Sequence, residues 1–305
     1  MRLDENVNLF SKYLNETAVF LDVNIEYVEK DYWLSLILKN IVNNNSDYVF
    51  KGGTCLSKCY HLIKRFSEDI DISYKSNYNS LTASEKNRLF KGITRSIKNV
   101  GIDIYNKDHL RRSAFFNRFE CPYKSIIDLG IVDKMVIIEL AGQTPSFPSQ
   151  KKSFQPFVGE YLEKINRHDL VELYQLGSFE VMTQSLSRTI VDKTFAICDY
   201  YLSKKTKKHS RHLYDIHKIL TMQSLDDEVK NLFSQIREIR SSNPICYSAH
   251  GDVKLHDIIK RIIDEHTYKE DYNNVTFQLL YEQVKYEDCL KSLLLLYQFL
   301  LNNDI

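Results

Sequence analysis

The 305-residue sequence predicts an α/β (α+β) fold, a mixed sheet flanked by helices and followed by a C-terminal helical bundle. Three observations predict it. Short apolar strand-like runs alternate with helical patterns over the first part of the chain. One compact unit, Tyr48 to Tyr74, reads as strand, Gly-Gly turn, helix and second strand. From Leu186 onward nearly every segment has helical periodicity. The boundary is placed so that residues 1–182 form the sheet domain and residues 183–305 the helical one.

In chain order, residues 4–45 read as helices, because Val28-x-x-Asp31-Tyr-Trp-Leu-x-Leu-Ile-Leu38 has helical spacing and Asn43-Asn-Asn-Ser-Asp47 is a stop signal. Val49 and Phe50 end a short apolar strand. Gly52 and Gly53 allow a sharp turn with close backbone approach. Thr54 is expected to cap the next helix, whose buried stripe is Leu56, Tyr60 and Ile63. Residues 81–100 form an amphipathic helix, with Thr82 as its cap. Ile102–Tyr105, Phe115–Glu120 and Lys134–Leu140 read as strands. Pro145 to Pro156 reads as a loop, Val158–Ile165 as a short helix and Phe179–Val181 as a strand. The helical domain is expected over 186–203, 211–222, 226–240, 253–266, about 274–284 and 286–302.

Composition excludes several classes. A hydrophobic fraction of 43% and a charged fraction of 27% are those of an ordinary globular protein. Net charge is +1, so any nucleic-acid surface must be a local patch. The six cysteines show no Cys-x-x-Cys spacing, which predicts free buried thiols rather than a zinc site. The N-terminus carries no signal peptide, and the most apolar run, Leu293–Leu301, is too short to span a bilayer. A cytoplasmic protein without membrane contact is the expectation.

Asp69 and Asp71 alternate with Ile70 and Ile72. On a strand, both carboxylates face one way and both isoleucines the other. Adjacent carboxylates repel unless a cation lies between them, and Mg²⁺ with nucleotide phosphates suits the pair. A strand-to-helix turn such as Gly52-Gly53-Thr54 aims free N–H groups at an anion, most often phosphate. Glu139, in the otherwise apolar strand Met135–Leu140, is either a third acid of the cluster or a strand-end residue in solvent. As a site residue it would help hold a second metal or take a proton from the attacking hydroxyl. Lys193 lies on a largely apolar helix face and either snorkels or points at an anion. Arg211 and Asp215 are spaced i, i+4, the pattern of a surface ion pair. The loop Lys204-Lys-Thr-Lys-Lys-His209 reads either as a solvated turn or as a segment that tracks a phosphate backbone; in the second reading, with Lys107, Arg111 and Arg112, it is the best local candidate for an RNA contact. His212 and His217 have no metal-ligand spacing.

These residues carry a resemblance. Gly-Gly followed by Asp-hydrophobic-Asp resembles the signature of the polymerase-β-like nucleotidyltransferase superfamily. Lys51-Gly-Gly-Thr-x-Leu56 with Arg65-Phe-Ser-Glu-Asp-Ile-Asp71 is similar to one branch of it, the AbiEii/AbiGii toxin family. Ile137-Ile-Glu-Leu140, Arg188-Thr-x-x-Asp-Lys193, Arg211-His-Leu-Tyr-Asp215 and Asp271-Tyr272 resemble later family motifs. Asp192 stands where the family usually has Glu. The resemblance implies a nucleotidyltransferase-like mixed sheet and a Mg²⁺-dependent enzyme. Its members include bacterial toxins of toxin–antitoxin and abortive-infection pairs, some transferring a nucleotide from an NTP to tRNA.

The implied catalytic set is Asp69, Asp71, Glu139, Lys193 and Asp215. One or two Mg²⁺ ions would be held by Asp69, Asp71 and Glu139. NTP binding would involve Lys51, Gly52, Gly53, Thr54, Lys193 and Arg211, in a cleft between the domains. The antitoxin would be a separate protein, with no stable complex implied. Nucleotidyl transfer to a small molecule, or a silent fold that binds NTP or a partner, are the alternatives.

Overall fold

The computed structural model describes all residues except 45–46, 77, 111–115 and 143. The chain divides into two compact units. One comprises Met1–Tyr60 and Ser67–Thr183, the other His61–Phe66 and Gln184–Ile305. The short segment His61–Phe66 therefore groups with the helices, although it precedes most of the sheet in sequence.

The first unit begins with α1 (Val7–Leu21) and α2 (Ile25–Asn44), followed by β1 (Tyr48–Lys51), α3 (Gly52–Lys58) and β2 (Ile70–Tyr74). Then come α4 (Ala83–Asn99), β3 (Phe116–Pro122), β4 (Met135–Ala141), β5 (Ser149–Phe154), α5 (Phe157–Lys164), α6 (His168–Leu173) and β6 (Phe179–Gln184). The six strands form one sheet in the order β3-β4-β2-β1-β6-β5. β2 runs antiparallel to β1 and parallel to β4, so the sheet is mixed.

Strand periodicity sorts the two faces. Tyr48, Phe50, Ile70, Ile72, Ile138, Leu140 and Phe119 share one face and are buried. α4 packs on that face, with Phe90 and Phe119 ring centroids 5.5 Å apart and Tyr48 Oη donating to the Leu89 carbonyl at 2.6 Å. α4 starts where the sequence indicates. Thr82 accepts from Glu85 N at 3.3 Å and Glu85 accepts from Thr82 N at 2.8 Å, a reciprocal cap worth about 1 kcal/mol.

Three sequence expectations are corrected here. α3 ends at Lys58, so Tyr60 and Ile63 are buried beyond the helix rather than on it. Ile102–Tyr105 is not a strand; it leaves a left-handed turn at Gly101 (φ +75°), and only Ile102 is buried. The proline-flanked stretch contains β5, an edge strand whose polar residues face outward. α6 carried no prior expectation. The strand start at Phe115 lies outside the described residues.

The helical unit contains α7 (Leu186–Leu202), α8 (Arg211–Leu220), α9 (Asp227–Ser241), α10 (Leu255–Asp264), the single turn α11 (Lys269–Asp271) and α12 (Tyr286–Asn302). α7 packs on α8, α9 and α10, and α12 packs on α8 and α10. Ile190, Phe195, Leu213, Ile216, Phe233, Ile259, Ile262 and Leu296 fill its core. The helix expected near 274–284 is replaced by a π-helical turn, Tyr272–Thr276, and a 3-10 turn, Phe277–Leu279. The chain then extends past His61–Phe66. Phe66 N donates to the Leu279 carbonyl at 3.3 Å and Tyr281 N to the Lys64 carbonyl at 2.8 Å. All six cysteines are free and buried. No helix among the described residues is long and apolar enough to cross a membrane.

Candidate active site

The sheet face opposite the apolar one carries a row of charges. Lys51 of β1 pairs in register with Asp71 of β2, Asp71 with Glu139 of β4, and Glu139 with Arg118 of β3. Register partners present their side chains on the same face, so two carboxylates stand between two cations. Arg118 Nη1 lies 3.8 Å from Glu139 Oε1, and the Glu139 side chain is one-third exposed. Glu139 is therefore mid-strand on a partly open face, neither a lone buried charge nor a strand-end residue. Asp69 precedes β2 by one residue and is half-buried.

The Gly-Gly turn lies against this row. Gly52 has φ +76°, and a Cβ there would fall 1.8 Å from Asp71 Oδ2 and 2.6 Å from its Cγ. The Asp71 carboxylate thus packs on bare backbone, in a space only glycine leaves. Thr54 does not cap α3. The N-cap is Lys51, and Thr54 is the third residue inside the helix. Its buried hydroxyl donates to the Asp69 carbonyl at 2.7 Å and lies 3.1 Å from the Ser67 hydroxyl. On the other side Lys30 of α2, almost fully buried, bonds the Glu68 carboxylate and donates to the Asp133 carbonyl at 3.1 Å. The segment Ser67-Glu68-Asp69 is held from two helices.

Hard carboxylate oxygens suit Mg²⁺, and Asp71 and Glu139 present them on adjacent strands. Among the described residues no group of three His, Cys, Asp or Glu side chains is gathered to hold a metal. A carboxylate pair completed by substrate phosphates is the usual way Mg²⁺ is held, and this donor set fits that mode.

In the helical unit Asp215 of α8 is fully buried. Its Oδ1 accepts from Arg65 Nε and its Oδ2 from Arg65 Nη2, both at 2.8 Å. Lys193 Nζ of α7 donates to Oδ2 at 2.6 Å. Burial alone would raise the Asp215 pKa, but the two cations overcome this and hold it far below the usual carboxylate range. Burial lowers the Lys193 pKa, and Asp215 opposes that without cancelling it. The surface pair expected between Arg211 and Asp215 is replaced: Arg211 is exposed, and Asp215 faces inward to Arg65 and Lys193. Lys193 does not snorkel; its ammonium is buried in an ion pair.

The structure thus brings together Lys51, Gly52, Asp71 and Glu139 in one unit, with Thr54 fixing the Asp69 backbone. In the other it joins Lys193 to Asp215, while Arg211 stands one turn from Asp215 on α8. Arg65 and Lys30 are the residues that sequence reasoning missed. Arg65 sits in the quoted motif, and a charge so near Leu62, Ile63 and Phe66 signals a buried partner, yet nothing local identifies Asp215. Arg111 and Arg112 lie outside the described residues.

A mixed sheet with a Gly-Gly turn packed on a strand carboxylate defines a nucleotidyltransferase fold, and known structures share it. The nucleotidyltransferase toxin MenT4 of Mycobacterium tuberculosis is similar at a TM-score of 0.59 and 17% identity, over 95% of this chain and 85% of that one. JHP933 from Helicobacter pylori is similar at a TM-score of 0.50 and 16% identity, over 91% and 92% of the two chains. No curated protein sequence matches. The model of the nucleotidyl transferase AbiEii toxin family, of type IV toxin–antitoxin systems, matches residues 37–292, and the chain belongs to that family.

Proposed function

We propose that this nucleotidyltransferase moves a nucleoside monophosphate from an NTP to the end of an RNA acceptor, tRNA, in the bacterial cytoplasm, and so arrests translation. The observation that carries the reading is the Asp71–Glu139 pair, with Asp71 seated on Gly52. An acceptor hydroxyl attacks the α-phosphorus, the new O–P bond forms, the α–β bond breaks and pyrophosphate leaves. The Asp71–Glu139 pair, completed by substrate phosphates and with Asp69 as a further donor on substrate binding, would hold Mg²⁺, which would neutralise phosphate charge and polarise the reacting oxygens. Lys51 and the backbone of Gly52 and Gly53 bind phosphate oxygens. Thr54, its hydroxyl bonded to the Asp69 carbonyl, fixes the carboxylate strand. Glu139 is the proton acceptor from the attacking hydroxyl. Lys193 has donors left beside its Asp215 bond and, with Arg211, is a phosphate-binding cation of the helical unit. Asp215 positions it. Positioning and charge neutralisation supply most of the rate.

The test incubates full-length protein with each α-³²P-labelled NTP, Mg²⁺ and total cellular RNA. Label in the tRNA band, abolished by EDTA and by Asp69→Ala/Asp71→Ala, is the expected result. Label confined to the small-molecule fraction would replace RNA with a small-molecule acceptor. A double variant as growth-inhibiting as the parent would end the catalytic reading.

A further inference from the structure

The loop between α7 and α8, Lys204-Lys-Thr-Lys-Lys-His-Ser210, is a feature the catalytic reading leaves unused. Lys204, Lys205, Lys207 and Lys208 are exposed, as is Arg211 at the first position of α8. Five cations in eight residues repel one another, and such a segment would ordinarily be a mobile solvated turn. Here it is fastened. Asp271 accepts from Lys208 N at 2.6 Å and from Ser210 N at 3.0 Å. The Ser210 hydroxyl bonds that of Thr276 at 2.7 Å. Lys205 N donates to the Tyr200 carbonyl at 2.9 Å. The His209 ring stacks on Tyr200 with centroids 3.5 Å apart and planes 8° from parallel. Lys204 and Lys208 hold left-handed backbones, φ +57° and +66°, which Gly or Asn adopts more easily.

Asp271 spends its carboxylate on backbone N–H groups, leaving the lysine ammonium groups to solvent. The fold thus holds a concentrated positive charge in a fixed shape, the state in which binding a polyanion costs least conformational entropy. The stretch Lys204–Arg211 contains no large apolar residue, whereas protein interfaces rely on apolar and aromatic anchors. Evenly distributed cations match a phosphodiester backbone instead. Arg211 stands one helical turn, about 5–6 Å of rise, before Asp215, which orients Lys193.

We propose that the loop Lys204–Ser210, which leads into α8 just before Arg211, is a preformed docking site for the phosphate backbone of the acceptor RNA. The inference rests on the RNA-transferase reading and assigns the acceptor to this face of the helical unit. The loop acts on affinity uniformly across sequences, because it contacts phosphates and not base edges.

The test compares full-length parent with a variant carrying Lys204→Ala, Lys205→Ala, Lys207→Ala and Lys208→Ala, and with a second variant carrying Arg at the same four positions. The probe is a fluorescein-labelled RNA hairpin with a single-stranded 3′ tail. Binding is read by anisotropy across a salt series, beside label transfer to the same RNA. The alanine variant should bind at least roughly tenfold more weakly and flatten the slope of log K against log salt by about 3. The arginine variant should keep affinity and slope within about twofold. If the alanine variant matches the parent in both, the docking site is refuted while the RNA reading stands. If the arginine variant fails like the alanine one, the loop matters for packing rather than charge, and the proposal also falls. A parent that neither binds nor labels RNA refutes the acceptor reading and the docking site together.

Discussion

Replacing Asp215 by Asn removes one negative charge from between two buried cations while keeping nearly the same shape. Asp215 is 0% exposed, Arg65 5% and Lys193 7%. Asp215 accepts three charge-assisted hydrogen bonds, two from Arg65 at 2.8 Å and one from Lys193 at 2.6 Å. The amide offers a single acceptor oxygen, so its NH₂ confronts a donor, and two ammonium-type charges lose their counterion out of water. Breaking such a buried arrangement costs about 3–5 kcal/mol, which corresponds to a fall in melting temperature of roughly 6–20 °C. Thermal and urea unfolding followed by circular dichroism measure it. A triple replacement, Arg65→Met, Asp215→Leu and Lys193→Met, is expected to recover much of that loss, because no charge is left stranded. It should still fail in nucleotidyl transfer, because Lys193 is gone. An Asp215→Asn protein melting within about 2 °C of the parent would refute the reasoning.

Two further outcomes follow from the same geometry. Gly52→Ala forces a side chain into φ +76° and into the space of Asp71 Oδ2. The backbone costs about 1–2 kcal/mol, and displacing the carboxylate by about 1 Å should lower initial transfer rates on the order of 100-fold; a parental rate would show that Asp71 need not sit there. Because the Asp215 pKa is depressed on folding, its contribution is present above the unfolded value of about 4 and is lost as pH falls. Between about pH 4 and pH 3, urea melts of the parent should lose up to about 1.4 kcal/mol more per pH unit than those of Asp215→Asn, and parallel curves would contradict the assignment.

What was legible in the sequence was local. Strand alternation places Ile70 and Ile72 on one face and Asp71 on the other, and the sheet registers Asp71 beside Glu139. Thr82 and Glu85 mark a helix start by a spacing of three. The Gly-Gly pair marks a close approach, although only the structure shows Asp71 to be the group that approaches. The rest depends on contacts far apart in sequence. Thr54 reads as a cap because threonine so often is one, but the carbonyl of Asp69 captures its hydroxyl. β5 is hidden because an edge strand needs few apolar residues, and of its six only Phe154 is buried. Arg211 and Asp215 have the spacing of a surface pair, yet Arg65, 150 positions away, takes the carboxylate.

Arg65→Lys separates charge from geometry in that clamp. The guanidinium meets Asp215 side-on through Nε and Nη2, and its Nη1 donates to the Phe66 carbonyl at 3.0 Å. Lysine keeps the positive charge but has a single nitrogen on a stem of different reach, so it cannot serve both carboxylate oxygens and the carbonyl together. Asp215 remains countered by two cations, which spares the large cost of a stranded charge. What goes is one charge-assisted bond and one bond to a carbonyl, about 2 kcal/mol after lysine re-forms its own contact. The melting temperature should therefore fall by roughly 4–8 °C, less than in Asp215→Asn. Asp215 Oδ2 is shared between Arg65 and Lys193, so freeing one side lets the carboxylate turn toward Lys193 and draw its ammonium inward. The KM for NTP should then rise more than kcat falls. A lysine variant as unstable as Asp215→Asn would mean that hydrogen-bond geometry, not charge balance, governs the clamp. A fully parental variant would mean that the side-on geometry contributes nothing.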